Sequence, residues 1–290
     1  MAEKGTGLFL GGTEITAIQN NKFVFANPFS EAVAPSYQIR TDTYGSFVEI
    51  AVPGTDFGIF GQSDYSSDIS SAVRGTGSDY NLIPTGSGTT EFWPSGSVVD
   101  SDYDFATEGG YSTSMFAEDA GSIGAIYGGD FSNFYGVDFV IEGWVYMNER
   151  LYQGGAPFHK SILRNTNSTF SADISFVSNG SAQYRMRVIK GGTQYFSSNI
   201  TSNLNQWYHY AFSFTNSGSA LRAYWDGTRI MDSTATGANT DNLFYRLLGG
   251  DMGPNDGAKG SIQDYRITIG SNRGYTGATI TTPNSIVEYS

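Results

Sequence analysis

Cysteine is absent from the 290 residues, and histidine occurs only twice. The first absence excludes a disulfide framework, a zinc–thiolate site and a thiol nucleophile. With only His159 and His209, a Ser-His-Asp triad has few ways to form. A two-histidine zinc site would need a further ligand, and no spacing in the chain supplies one. Charged residues make up 15% of the chain, against about 25% in an average globular protein. Their balance is one-sided: 16 Lys and Arg against 28 Asp and Glu, a formal net charge of −12. That sign repels nucleic-acid phosphates and anionic membrane surfaces, so neither is an expected partner. No apolar run approaches the roughly 20 residues of a membrane span. The opening MAEKGTGLFLGGTEIT contains no apolar run of secretory-leader length, so synthesis in a cytosol is expected. Apolar spacing of helical period is also missing over any ten residues.

What is abundant suits strands. There are 19 Tyr, 20 Phe and 37 Gly, and aromatics reach 15% of residues. Rings fit a pleated, half-buried surface, and Gly supplies the positive φ of tight turns. A chain of this length can remove about three quarters of its extended surface from water, and an all-β domain can use more than about 200 residues. From residue 97 onward short strand-like runs recur. Between them stand Asn179-Gly180, Gly191-Gly192, Asn216-Ser217-Gly218, Asp226-Gly227, Gly249-Gly250 and Asp256-Gly257. Short strands with such turns predict a sandwich or barrel. No repeat of 20–50 residues is apparent.

The stretch FVIEGWVYMN, residues 139–148, is the clearest strand. Alternation puts Phe139, Ile141, Gly143 and Val145 on one face, and Val140, Glu142, Trp144 and Tyr146 on the other. Both sets are largely apolar or aromatic. The pattern predicts one face in the core and one facing a further cover or a groove. On this reading Trp144 is primarily structural. QWYHYAFSF, residues 206–214, repeats the logic, and LRAYWDGTRI, residues 221–230, predicts a hairpin around Asp226-Gly227.

Residues 1–44 read as a separate β-rich arm. Runs at 8–10 and 15–18 flank Gly11-Gly12, and a third at 23–25 stops before Asn27-Pro28. The piece is too small for a core of its own, so it is expected to pair with the main body or another chain. Residues 45–55 read as a strand ended by Pro53-Gly54. Residues 61–91, rich in Ser, Gly, Asp and Thr, read as surface loops, partly mobile.

Four ordered patterns then resemble the concanavalin A-like lectin/glucanase superfamily, in its laminin-G-like branch. Phe139, Ile141, Glu142, Trp144 and Val145 match a strand of type F-x-I-E-x-W-V. Trp207, His209 and Ala211 match W-x-H-x-A. Leu221, Tyr224, Asp226 and Gly227 match L-x-x-Y-x-D-G. Gly260, Ile262, Asp264, Arg266 and Ile267 match G-x-I-x-D-x-R-I. The resemblance implies a concanavalin A-like jelly-roll β-sandwich over residues 45–290, preceded by the arm. RITIGSNRGYTGATITTP, residues 266–283, is similar to a version of this domain common in bacteriophage virion proteins, and LFLGGTEITAI resembles N-terminal segments of phage structural proteins.

The resemblance implies a non-enzymatic virion structural protein, made in the host cytoplasm and displayed on the particle surface as a capsid decoration or a tail or fibre component. The arm, residues 1–44, is expected to contact other virion proteins, and its edge strands favour a homo-oligomer. A glycan-binding adhesin of a tail fibre is the alternative, and a glycoside hydrolase ranks third. Retaining hydrolysis needs two carboxyl groups about 5–5.5 Å apart. The glucanase spacing E-x-D-x-x-E does not occur, Glu142 is alone in its strand, and Glu118 and Asp119 are adjacent and point to opposite faces. No catalytic residue is assigned, and His209 reads as a packed, hydrogen-bonded structural histidine.

Asp251, Asn255 and Asp256 form the best metal candidate. They are oxygen ligands on a Gly-rich loop that can bend around Ca2+, set against a plain hairpin loop. Asp-rich loops at 64–68 and 100–104 carry the same ambiguity. Exposed aromatic faces stack on sugars, which makes Tyr146, Tyr152, Tyr195, Tyr224 and Trp225 glycan candidates, set against ordinary sandwich packing. Asn167, Asn179 and Asn199 match N-x-[ST], but with no secretory leader they are discounted.

Overall fold

The computed structural model describes residues 8–10, 13–19, 22–25, 37–52, 68–80, 83–85, 91–94, 113–116, 122–127, 136–147, 159–165, 170–176, 183–203, 206–235, 244–249, 260–284 and 286–289. The chain divides into two compact units, Met1–Gln38 with Tyr289–Ser290, and Ile39–Glu288. Residues 39–44, read from sequence as part of the arm, lie in the larger unit.

The smaller unit holds an antiparallel meander of Leu8–Leu10, Thr13–Gln19 and Lys22–Phe25. Leu8 stands opposite Ile15, Ile15 opposite Phe25, and Ile18 opposite Phe23. Residues three apart normally fall on opposite faces of a strand. A bulge between Ile15 and Ala17 inserts one residue and returns Ile18 to the face of Ile15. By register, Leu8, Leu10, Ile15, Ile18, Phe23 and Phe25 therefore share one face of this sheet.

Among the described residues the larger unit contains two eight-stranded sheets. Neighbours in the first are Thr228–Thr234, Ala220–Trp225, Trp207–Thr215, Phe139–Met147, Gly260–Ile269, Thr113–Phe116 and Glu91–Pro94, with Val48–Val52 also paired to Gly260–Ile269. In the second the order is Thr193–Phe196, Gln183–Lys190, Phe170–Phe176, His159–Asn165, Phe244–Gly249, Ser122–Tyr127 and Ile83–Thr85, with Ile200–Thr201 also on Gln183–Lys190. The pairs are antiparallel and the order is not sequential, as in a jelly roll. At the middle of the first sheet Phe139–Met147 lies between Trp207–Thr215 and Gly260–Ile269, strands from distant parts of the chain. The predicted hairpin is present. Asp226 and Gly227 both have positive φ, 49° and 75°, the pairing a two-residue type I′ turn requires.

Side chains from the two inner faces form one core. Ile50, Ile141, Phe212 and Tyr265 come from the first sheet, and Phe170, Ile174, Tyr184 and Met186 from the second. Phe139 stacks on Phe214 at 4.1 Å between ring centroids. Each such buried apolar side chain contributes about 1.5–3 kcal/mol relative to exposure.

The outer face of the first sheet is covered too. Val140, Ala211, Tyr224 and Tyr275 form a second buried cluster with Ile280 packed against it. Residues 271–286 lie across this face, tied down by backbone bonds. The Arg229 N–H donates to Ala278 O at 2.9 Å, and the Ile280 N–H to Gly227 O at 2.8 Å. The alternation of FVIEGWVYM, apolar on both sides, is thus explained: one face packs in the core and the other under this segment.

Within the stretch read as loops, residues 68–80 are ordered around a short helix, Ser70–Arg74. The Asp68 carboxylate accepts hydrogen bonds from the Ala51 N–H (2.8 Å), the Ser70 N–H (3.1 Å) and hydroxyl (2.7 Å), and the Tyr80 N–H (2.8 Å). Arg74 Nη1 donates to Val48 O at 2.7 Å. One turn of helix carries too little periodicity to be seen in sequence; tertiary hydrogen bonds hold it instead.

Candidate functional site

Glu142 projects from the central strand onto the outer face of the first sheet, where it is 0% exposed. Its cross-strand neighbours are Ala211 on one side and Arg266 on the other. Ala211 is small and leaves room for the carboxylate. Arg266 reaches its place through an irregularity opposite Glu142 and Trp144, where Asp264 adopts φ 51°. An extra residue at this point sends Tyr265 into the core and Arg266 to the outer face. Asp264 Oδ1 accepts a hydrogen bond from the Ile286 N–H at 3.1 Å, fixing the end of the covering segment.

The segment brings two further groups. The Tyr275 hydroxyl donates to Glu142 Oε2 at 2.7 Å, and Arg273 Nε lies 2.9 Å from Glu142 Oε1. His209 Nε2 is 3.4 Å from Oε2, and Arg266 Nε is 3.9 Å from Oε1. Asp42, from the loop at 40–44, closes the cluster. It accepts from Arg273 Nη1 at 2.9 Å and Nη2 at 3.1 Å, and from Arg266 Nη1 at 3.1 Å. A two-point contact of this kind suits the planar fork of arginine. Arg273 has φ 52°, a left-handed conformation that costs a non-glycine residue about 1–2 kcal/mol and is maintained here by its ion pairs.

Burial alone would raise the pKa of Glu142. Arg273, His209 and Arg266 outweigh it and hold the carboxyl far below the usual range. Asp42 follows the same pattern: burial raises its pKa, but its hydrogen bond and charge contact with Arg273, together with Arg266, leave it lowered. Burial pushes the Tyr275 hydroxyl up, and the Glu142 charge adds to that. Glu142 is therefore ionised, inaccessible and partnered. A general acid in glycoside hydrolysis needs the opposite, a raised pKa and contact with the leaving group. The cluster acts as a clasp that fastens loop 40–44 and segment 271–286 to the sheet.

A pocket of about 560 Å³ opens above the clasp, within the size range of small-ligand sites. Its lining combines the charged Arg40, Asp42, Arg266 and Arg273, the hydroxyl-bearing Thr41, Thr43, Tyr44, Thr279, Thr281 and Thr282, and the apolar Val73, Ile280 and Pro283. The Arg273 guanidinium lies 5.2 Å from the centre of the Tyr44 ring.

The glycan candidates are not gathered here. Tyr224 is 0% exposed, and its hydroxyl donates to Gly277 O at 3.0 Å beneath the covering segment. Trp225 is 6% exposed and stacks on Tyr208 at 5.2 Å. The exposure expected of these two is not what the structure has: Tyr224 belongs to the outer buried cluster and Trp225 to the core. Tyr195 is half-buried against the core. Tyr152, the side chain of Tyr146, and Asp251, Asn255 and Asp256 lie outside the described residues. Among the described residues no group of three His, Asp or Glu could hold a metal ion. His209 is fully buried, with Trp144 packed edge-on against it at 5.4 Å. Asp42 carried no sequence signal, being one Asp in a polar stretch. Arg273 and Tyr275 did carry one, since both fall in the RITIGSNRGYTG run.

Residues 119–270 match the concanavalin A-like lectin/glucanases superfamily. The receptor-binding domain of a botulinum neurotoxin mosaic serotype C/D is similar at TM-score 0.50 and 10% identity, over 78% of this chain and 48% of that one. A heptameric SAP-like pentraxin from Limulus polyphemus is similar at TM-score 0.34 and 10% identity, over 45% of this chain and 63% of that one. Carbohydrate-binding module CBM66 from Bacillus subtilis is similar at TM-score 0.32 and 13% identity, over 55% and 86%. The match spans less than two thirds of the pentraxin and toxin chains, and at such identities the likeness is one of fold. No curated protein matches the chain.

Proposed function

The chain belongs to the concanavalin A-like lectin/glucanases superfamily, and on that premise we propose that it is a non-enzymatic binding protein of a bacteriophage particle surface. The sandwich is displayed outward, the smaller N-terminal unit docks it to other virion proteins, and the pocket above the clasp takes a host glycan. One observation carries the binding role: the pocket sits over a carboxylate already committed to Arg273 and Tyr275, so the site is shaped to hold a ligand without acid–base chemistry. The virion setting is supported by the 266–283 stretch, whose phage-like sequence supplies Arg266, Arg273 and Tyr275 to the clasp and Thr279, Thr281 and Thr282 to the pocket. Docking is supported by the meander, where six apolar residues share one face of a unit too small to bury it alone.

The test is fractionation of purified particles combined with a glycan array of the full chain. The expected result is the protein in intact virions and binding to host-surface polysaccharide. Absence from purified virions would remove the structural role. Particle incorporation without any glycan binding would leave display alone. Polysaccharide cleavage abolished by Glu142→Gln, in a variant that still folds, would overturn the non-enzymatic reading.

A further inference from the structure

We infer that the pocket selects an uncharged sugar and discriminates against acidic ones; this rests on the reading of the pocket as a glycan site. Three arginines, Arg40, Arg266 and Arg273, line the pocket and suggest an anion site at first sight, but none of them is free. Arg273 spans both oxygens of Asp42 and stands against Glu142. Arg266 donates to Asp42 and to Asn284 O at 3.0 Å. Both are nearly buried, at 4% and 8% exposure. A carboxylate or sulfate arriving from solvent would have to displace carboxylates that are pre-positioned and cost no binding entropy. It would also approach a chain of net charge −12, against the long-range field.

What the pocket offers besides these committed charges is neutral. Thr41, Thr43, Thr279, Thr281 and Thr282 line it, and none of their hydroxyls is engaged by a hydrogen bond among the described residues. Each hydroxyl can donate and accept, as sugar hydroxyls do. The apolar Ile280 and Pro283, which also line the pocket, suit the C–H face of a sugar ring. Hydroxyls next to methyl and methylene groups complement a neutral pyranose, while no free cation in the clasp complements an acid.

The experiment compares matched neutral and acidic oligosaccharides, the acidic set carrying sialic acid, uronic acid or sulfate. Binding to the full chain is measured by array and titration calorimetry at low and high salt. Neutral ligands should bind, with an affinity insensitive to salt. Thr279→Val with Thr281→Val keeps side-chain shape and removes two hydroxyls, and should weaken binding roughly 10- to 100-fold while the melting curve is unchanged. Preferential, salt-sensitive binding of acidic glycans overturns the selectivity and leaves the glycan reading standing. Neutral binding untouched by the double variant places recognition elsewhere and overturns the inference. No binding of either set overturns the glycan reading itself.

Discussion

The Tyr275 hydroxyl donates to the Glu142 carboxylate at 2.7 Å across 133 positions of chain. This bond joins the covering segment to the centre of the first sheet. It lies in a network with the largely buried Arg273 and Arg266 and the part-buried Asp42. Partners in such a network are not equivalent. Removing the charge strands other charges, whereas removing the hydroxyl removes one bond.

Glu142→Gln should therefore cost about 3–5 kcal/mol, because it leaves two buried guanidinium groups short of a counter-charge. Tyr275→Phe should cost less, about 1.5–3 kcal/mol, the usual value of a hydrogen bond to an ionised group. Urea or thermal melts of the two variants check the order. Equal and small effects would show that the cluster does not support the fold.

Acid should loosen the same clasp. Glu142 and Asp42 both have folded-state pKa values below their ordinary ones. Stability from a lowered carboxyl is fully present above its unfolded pKa, about 3.9–4.3 here, and is lost as pH falls through that value toward the folded pKa. Stability should hold steady near neutrality and decline below about pH 4. In Asp42→Asn the decline should be shallower, since one linked proton is gone. Denaturant midpoints measured along a pH series test this; identical acid limbs in the two proteins would contradict it.

The boundary of the arm has a sharp consequence. Removing residues 1–38 spares Asp42, while removing 1–44 deletes it together with its bonds to Arg266 and Arg273. The shorter truncation should melt like the full chain and fail to enter particles. The longer one should melt several degrees lower. Normal incorporation of the 39–290 chain would count against docking through the smaller unit.

Trp144 is 7% exposed, with His209 against its ring. Trp144→Ala should cost about 3–5 kcal/mol by leaving a cavity beside His209. Glycan affinity of the fraction that remains folded should be unchanged, because the residue does not line the pocket. A variant that melts normally but no longer binds would make this tryptophan a recognition residue.

Local chemistry in the chain was enough for the strands at 8–10 and 139–147 and the hairpin at Asp226-Gly227, because alternation and turn residues act over two to ten positions. The four ordered motifs identified the superfamily, and the double-sided apolar pattern of 139–147 called for a cover or a groove on the outer sheet face, of which the fold supplies the cover. Single-residue exposure was less legible. Tyr224 and Trp225 look alike in sequence as surface aromatics, yet the fold buries one beneath segment 271–286 and the other in the core. The helix Ser70–Arg74 depends on Asp68 meeting Ala51, a contact that no periodicity encodes.

By itself, then, the sequence determined the all-β class, the turn chemistry, the absence of any thiol chemistry and the membership of the superfamily. The tertiary structure alone decided that Glu142 is a clasped, ionised structural group and that a threonine-lined pocket stands above it. The reason is physical. Strand propensity and turn geometry are set by near neighbours, but Asp42 and Arg273 meet across 231 positions. That meeting depends on which strands become neighbours in the sheet and on where the covering segment crosses them.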